Sequence, residues 1–189
     1  MKKILVVVDM QNDFITGPLG NEDCRNAVNG CVDLCKNGGF DAIFFTRDTH
    51  ENCYLDTLEG KNLPVEHCIR NTCGWDIIPE LESFAKDESF IVNKFTFGSV
   101  TTENESLPNK IMSWIYGNVL TKADFVEPVE IHFCGVCTSI CVISNMVILR
   151  AHFPNTKIIL HRNATGDVTE EMKQAAFVVA RSIQCEVED

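Results

Sequence analysis

The sequence predicts an α/β fold, a three-layer α/β/α sandwich built on a mostly parallel central sheet. Three observations predict it. Short apolar runs alternate with helical patterns along the chain. Most of the runs are uniformly apolar, which suits strands buried on both faces. The 189 residues are 45% hydrophobic, enough for one sizeable core, and no repeat or low-complexity linker divides them. One domain over residues 1–189 with right-handed crossovers is expected.

The first strand is Ile4–Val8, closed by Asp9. The first helix covers Glu22–Lys36 and stops at Gly38-Gly39, a C-cap signal. Cys31 and Cys35 sit four apart in it and pack as small apolar residues. Ala42–Phe45 is the second strand. The stretch 47–74, from Arg47 to Gly74, is the longest irregular one, and a loop that long in a compact domain is usually functional. Phe90–Val92 is the third strand and Glu105–Tyr116 the second helix. Ile131–Phe133 is the fourth strand, followed by a helix over Ser139–His152. Ile158–Leu160 is the fifth strand. Thr169 caps a last helix reaching Arg181, with two glutamates placed to suit the helix dipole. Ile183–Val187 is a weaker sixth strand.

Charge narrows the function. A net charge of −11 argues against nucleic acid and against anionic membrane surfaces, both of which need Lys and Arg. Met1-Lys2-Lys3 precede an apolar run that ends after five residues, too short for a secretory signal. No stretch approaches the roughly 20 apolar residues of a membrane span. The chain is expected in the cytoplasm, with most of its ten cysteines reduced.

In a parallel sheet, ligands bind beyond the carboxyl ends of the strands. Chemistry-bearing residues fall at those ends: Asp9 after strand one, Arg47, Asp48 and His50 after strand two, Lys94 after strand three. Strand four leads into Cys134-Gly-Val-Cys-Thr-Ser-Ile-Cys141, and strand five into His161 and Arg162. A polar residue after a strand is most often a solvated loop residue. A carboxylate, a lysine and a cysteine on one edge form a sharper pattern. Acyl transfer by cysteine needs a thiolate, which a lysine and a helix N-terminus favour, and a carboxylate can take the thiol proton. Cys134 reads as core and Cys137 as a turn residue. Cys141, in the first turn of the next helix, leads Cys137 as nucleophile, and free backbone N–H groups there suit an oxyanion. A second group is Asp48-Thr-His50 with His67 seventeen residues later, a carboxylate and two imidazoles able to hold a metal with open positions. A different reading has Cys134, Cys137 and Cys141 ligating zinc or an iron–sulfur cluster, but no fourth ligand is obvious nearby.

The motifs resemble those of the isochorismatase-like cysteine hydrolases, and within them the nicotinamidases, over nearly the whole chain. Asp9-Met-Gln-Asn-Asp-Phe14 is similar to the family's aspartate motif. Val92-Asn-Lys-Phe-Thr-Phe-Gly-Ser99 is similar to its lysine motif, and Gly135-Val-Cys-Thr-Ser-Ile-Cys-Val142 to its nucleophile motif. The resemblance implies a Rossmann-like fold and a triad of Asp9, Lys94 and Cys141. It implies a cis peptide between Val136 and Cys137 and an oxyanion hole from the N–H groups of Cys137 and Cys141. It implies substrate contacts at Phe14, Val136 and Cys137. Asp48, His50 and His67 resemble the nicotinamidase metal ligands, with Glu59 the best match for a fourth and Glu66 second. One divalent metal ion per chain is implied, Zn²⁺ first, Mn²⁺ or Fe²⁺ as alternatives. The implied activity is conversion of nicotinamide to nicotinate and ammonia through a thioester, in pyridine-nucleotide salvage, by a homo-oligomer. Thr49 stands where many nicotinamidases carry an aromatic residue, and Cys73 where many relatives carry a turn residue such as proline. Another small amide is therefore the alternative substrate.

Overall fold

The computed structural model describes residues 1–100, 105–117 and 129–189. Six parallel strands form one sheet: β1 (Lys2–Val8), β2 (Ala42–Asp48), β3 (Ile91–Lys94), β4 (Val129–Val136), β5 (Lys157–Gly166) and β6 (Glu186–Glu188). Their order is β3-β2-β1-β4-β5-β6. Seven helices are described: α1 (Asn12–Ile15), α2 (Glu22–Asn37), α3 (Leu58–Asn62), α4 (Pro79–Glu82), α5 (Leu107–Tyr116), α6 (Ile143–His152) and α7 (Glu170–Ser182).

The strand pleat sorts side chains onto two faces. Ile4, Val6, Val8, Phe44, Phe133 and Leu160 pack with Ile111, Met146, Leu149 and Phe177 from α5, α6 and α7. Leu5, Val7, Phe45 and Cys134 pack with Cys24, Cys31 and Leu81 from α2 and α4. Both faces are covered, which is why the strands read as continuous apolar runs rather than as alternation. Asn21 caps α2 by accepting from Cys24 N (2.9 Å), and Thr169 caps α7 by accepting from Met172 N (3.2 Å).

Strand order reverses at β1, whose neighbours are β2 and β4. That switch opens a crevice beyond the carboxyl ends of β1 and β4. Gly135 lets the two strands close at that end. Its φ is +110°, and a Cβ there would collide with the backbone of Val8.

The fifth strand departs from expectation. It runs on through His161 and Arg162 to Gly166, so neither residue reaches the crevice. An irregularity absorbs the extra length: Phe133 pairs with Leu160 but Gly135 with Thr165. The residue delivered at the true strand end is Asp167. The sixth strand is also shorter and later than expected, because the turn that ends α7, with Gln184 at φ +63°, takes up Ile183 to Cys185.

Candidate active site

Asp9 leaves β1 with φ +49°, a strand-end kink stabilised by Thr46 on the neighbouring β2. Thr46 Oγ1 donates to Asp9 Oδ1 (2.6 Å). Lys94, the last residue of β3, is 1% exposed, and its Nζ lies 2.7 Å from Asp9 Oδ2 and 3.0 Å from Asp48 Oδ1. The same Nζ is 3.5 Å from Cys141 Sγ. The structure therefore brings Asp9, Lys94 and Cys141 together at the crevice.

Cys141 sits in a wide π-type turn, Thr138–Val142, that precedes α6. Asn145, one turn on, donates from Nδ2 to the Cys141 carbonyl (2.8 Å) and accepts from Ser99 N (2.9 Å). The lysine loop and the cysteine turn are thus clamped to each other. The Val136–Cys137 peptide is cis, as the motif resemblance implies.

Electrostatics divides the roles. Burial pushes the Cys141 thiol well above its ordinary pKa; Lys94 opposes this, while Asp9 and Asp48 add to it. Burial thus works against the thiolate, and Lys94 is the neighbour that favours it. Burial also raises Asp9, against the pull of Lys94. Burial works against the Lys94 ammonium, yet Asp48, Asp9 and Cys141 outweigh it and hold Lys94 well above the ordinary value. The Asp9 carboxyl and the Cys141 sulfur are hydrogen-bonded to each other, and both are raised by burial, an arrangement in which one proton can be shared and moved.

The second cluster adjoins the first through Asp48. His50 Nε2 lies 3.1 Å and His67 Nε2 3.6 Å from Asp48 Oδ2. Glu59 Oε1 lies 3.7 Å from His50 Nε2 and 4.0 Å from His67 Nε2. One donor atom from each of these four residues falls within 4.8 Å of the others. His67 Nδ1 donates to the Val65 carbonyl (2.8 Å), so Nε2 is the ring atom turned toward Asp48 and Glu59. The Glu59 carboxyl is raised by burial and by Asp48 beside it, a crowding that a cation would relieve. Two imidazoles and two carboxylates can hold a divalent cation of the Zn²⁺, Mn²⁺ or Fe²⁺ kind. Glu59, carried on α3, is in this group, whereas Glu66 is exposed and outside it.

A cavity of about 330 Å³ joins the two clusters. Asp48, Glu59, His67, Cys137 and Cys141 contribute its polar and reactive lining, and Phe14, Leu19, Phe97 and Ile140 its apolar walls. Phe14 meets His67 edge-on at 5.5 Å. Val136 is fully buried behind the wall.

Several contributors escaped the sequence reading. Gln11 holds Asp48 by accepting from its N (2.7 Å) and donating to its carbonyl (2.9 Å). Tyr54 packs on His50 and His67, at 4.5 and 4.9 Å between ring centres. Asp13 accepts from Cys68 N (2.7 Å), fixing the segment that carries His67. Gln11 and Asp13 lie inside the aspartate motif, so their position was the available signal. Thr49 does not line the cavity. It is buried, and its Oγ1 accepts from Trp75 Nε1 (2.8 Å), whose ring stacks under Arg47 at 3.9 Å. Arg47 therefore serves this stack and Glu88 rather than the crevice.

Comparison with known proteins supplies the family. The isochorismatase domain matches residues 3–189. No curated protein sequence matches. Among solved structures, nicotinamidase PncA from Bacillus subtilis superposes with a TM-score of 0.78 at 23% identity, covering 100% of both chains. The pyrazinamidase of Pyrococcus horikoshii in complex with zinc gives 0.74 at 21% identity, covering 99% of this chain and 98% of that one. The N-carbamoylsarcosine amidase of Thermoplasma acidophilum gives 0.71 at 19%, covering 100% and 96%. At these identities the structures establish a shared fold. With the domain match spanning nearly every residue, the chain belongs to the isochorismatase family.

Proposed function

We propose that the chain, acting as one cysteine hydrolase domain over residues 1–189, is a metal-dependent nicotinamidase that converts nicotinamide to nicotinate and ammonia. The observation that carries this reading is the contact of Lys94 Nζ with Asp9 Oδ2 (2.7 Å) and Cys141 Sγ (3.5 Å), on a cavity shared with a four-ligand cluster. The similarity to PncA and to a zinc-bound pyrazinamidase supports the same direction.

Asp9 accepts the Cys141 proton as the sulfur attacks the amide carbon. Lys94 compensates the charge that develops on sulfur and keeps Asp9 aimed at it. The N–H groups of Cys137 and Cys141 receive the oxyanion. Asp9 returns the proton to departing ammonia, leaving a thioester on Cys141. It then activates water to release nicotinate. Phe14 and Phe97 flank the ring, with Cys137 at its floor and Val136 packed behind Cys137. Held by Asp48, His50, Glu59 and His67, one divalent cation, Zn²⁺ by preference, would supply a Lewis-acid contact for the pyridine nitrogen. All ten cysteines are free thiols, which supports a reducing, cytoplasmic setting.

A second reading, hydrolysis of another small amide, is favoured by Thr49 packing on Trp75 instead of the cavity. A coupled ammonia assay separates the two. Nicotinamide should be hydrolysed, benzamide should lose roughly 100-fold or more for want of a ring nitrogen, and chelation should suppress nicotinamide turnover. Equal rates on nicotinamide and benzamide, or a preference for an N-carbamoyl substrate, would overturn the nicotinamidase reading in favour of the second.

A further inference from the structure

Asp167, delivered at the end of β5, has no part in the proposed chemistry, yet it meets the turn that carries Cys141. Pairing of β5 with β4 resumes at Gly135–Thr165 and Val136–Gly166, so the two strands end side by side. Cys137 follows on one strand and Asp167 on the other. Asp167 is fully buried. Its Oδ2 accepts from Ser139 N (2.7 Å), and its Oδ1 accepts from Ser139 Oγ (3.0 Å) and Val168 N (2.7 Å). Ser139 stands midway between Cys137 and Cys141, within the π-type turn Thr138–Val142.

The turn does not satisfy Ser139 N by itself. Its Cys137 carbonyl accepts from Ile140 N (3.2 Å) and Val142 N (3.1 Å), and the first N–H groups of a helical segment have no partner within it. The Asp167 carboxylate is the acceptor supplied from outside. Asp167 is itself fixed from behind: its N donates to Asp23 Oδ2 (2.8 Å), and Lys173 Nζ donates to both carboxylate oxygens of Asp23 (3.0 Å each). Thr138 Oγ1 donates to the Gly166 carbonyl (3.0 Å) and Thr165 Oγ1 to the Gly135 carbonyl (2.7 Å), tying the strand ends together. The far side of the turn is held by other groups. Asn145 holds the Cys141 carbonyl (2.8 Å), and Lys94 meets the Cys141 sulfur (3.5 Å). Asp167 thus governs the stretch that precedes Cys141, while Asn145 and Lys94 govern the cysteine itself.

We propose that Asp167 is a positioning residue for amide hydrolysis. By holding Ser139 N it fixes the turn that aims the N–H groups of Cys137 and Cys141 at the developing oxyanion. The inference rests on the amide-hydrolase reading above. Oxyanion donors work only when they are set in place before the charge appears, and a small misplacement of a reacting geometry is costly in rate. The oxyanion exists in the transition state and not in bound substrate, so loss of Asp167 should act on kcat and spare KM. Asp167 touches neither the Cys141 sulfur nor the four-residue ligand cluster among the described contacts. The reactivity of the sulfur toward a reagent that forms no oxyanion should therefore survive. Iodoacetamide is such a reagent, because the thiolate displaces iodide at a saturated carbon.

The test compares full-length, metal-loaded parent and variants by ammonia release from nicotinamide and by the rate of Cys141 alkylation with iodoacetamide, followed by peptide mapping. Asp167→Ala should lose about 100-fold in kcat, with KM within about twofold of the parent and Cys141 alkylated at the parent's rate. Asp167→Asn keeps one acceptor oxygen for Ser139 N and should lose only about tenfold. Thr169→Ala removes the α7 cap without touching Asp167; it should lower the melting temperature and keep kcat, which separates positioning from plain destabilisation. A folded Asp167→Ala with the parent's kcat overturns the proposal. So does a parallel fall of kcat and alkylation rate, which would report a lost active fraction. An Asp167→Asn as slow as Asp167→Ala, or as fast as the parent, also overturns it. Should Asp167→Ala misfold, Asp167→Asn decides alone: a tenfold fall in kcat at the parent's alkylation rate supports the proposal, and the parent's kcat overturns it. A parent that releases no ammonia from any amide sinks the hydrolase reading and this inference with it, whereas an active parent with unaffected variants sinks this inference alone.

Discussion

Lys94 is the residue on which both clusters depend. It is a buried cation shared by two buried carboxylates, Asp9 and Asp48. Removing it leaves two uncompensated charges in a low-dielectric site. Lys94→Met is expected to lose about 3–5 kcal/mol of stability in urea unfolding, in addition to activity. Cys141→Ala should behave differently, abolishing ammonia release while keeping the parent's melting temperature and metal content, because Cys141 is outside both the Asp9–Lys94–Asp48 ion pairs and the four-residue ligand cluster. The proposed triad was legible in the sequence because each member closes or follows an apolar run. The Lys94–Asp48 bridge was not. It depends on the β2–β3 register, which pairs Asp48 directly with Lys94, and register is invisible in single-sequence periodicity. The orientation of Thr49 was hidden for the same reason, since only the fold shows which way a strand-end side chain turns.

Among the elements, β5 carries the clearest lesson. Its apolar run ends at Leu160, so His161-Arg162-Asn163 reads as a loop, yet pairing resumes at Thr165. Within this stretch His161 pairs with His132 on the neighbouring β4. His132 Nδ1 and His161 Nε2 are 2.8 Å apart and the rings stack at 5.1 Å. Phe40 from the α2 side covers His132, and Glu130, Lys3, Lys157 and Glu188 surround the pair. Burial lowers the pKa of both rings; for His161 the neighbouring His132 adds to it, and for His132 Glu130 opposes it. Depressed histidines bind fewer protons folded than unfolded, so their contribution to stability is present above the unfolded pKa of about 6.5 and lost below it. The melting temperature should therefore fall between about pH 7 and about pH 5, and His161→Gln should flatten that slope in differential scanning calorimetry. An unchanged slope in the variant would assign the acid sensitivity elsewhere. The apolar cores on the two faces were easier to foresee, since burial on both sides leaves an uninterrupted hydrophobic signature. Phe133→Ala, at a fully buried position in the centre of β4, should cost about 3–5 kcal/mol.

At the scale of the whole molecule, the fold acts by reversing strand order at β1. That reversal sets Asp9 and Cys141 on neighbouring strand ends and brings the 47–74 segment, with its ligand set, over the same crevice. The alternation of elements made the layered architecture legible. The long irregular segment signalled function, but not how it folds back: Glu59 reaches the cluster only because α3 is tied down by Thr57 capping Gly60 N (3.0 Å) and by the Tyr54 hydroxyl donating to the Leu63 carbonyl (3.0 Å). His67→Ala should lower bound metal, measured by elemental analysis, from about one equivalent per chain to a small fraction, with the triad geometry preserved. The most direct test of the proposed chemistry is intact-mass spectrometry of a rapidly quenched reaction with nicotinamide, followed by peptide mapping. One nicotinoyl group attached to Cys141, appearing before nicotinate and absent from Cys141→Ala, is the predicted result. Ammonia release with no adduct on Cys141, or with the acyl group on another residue, would contradict a mechanism built on Asp9, Lys94 and Cys141.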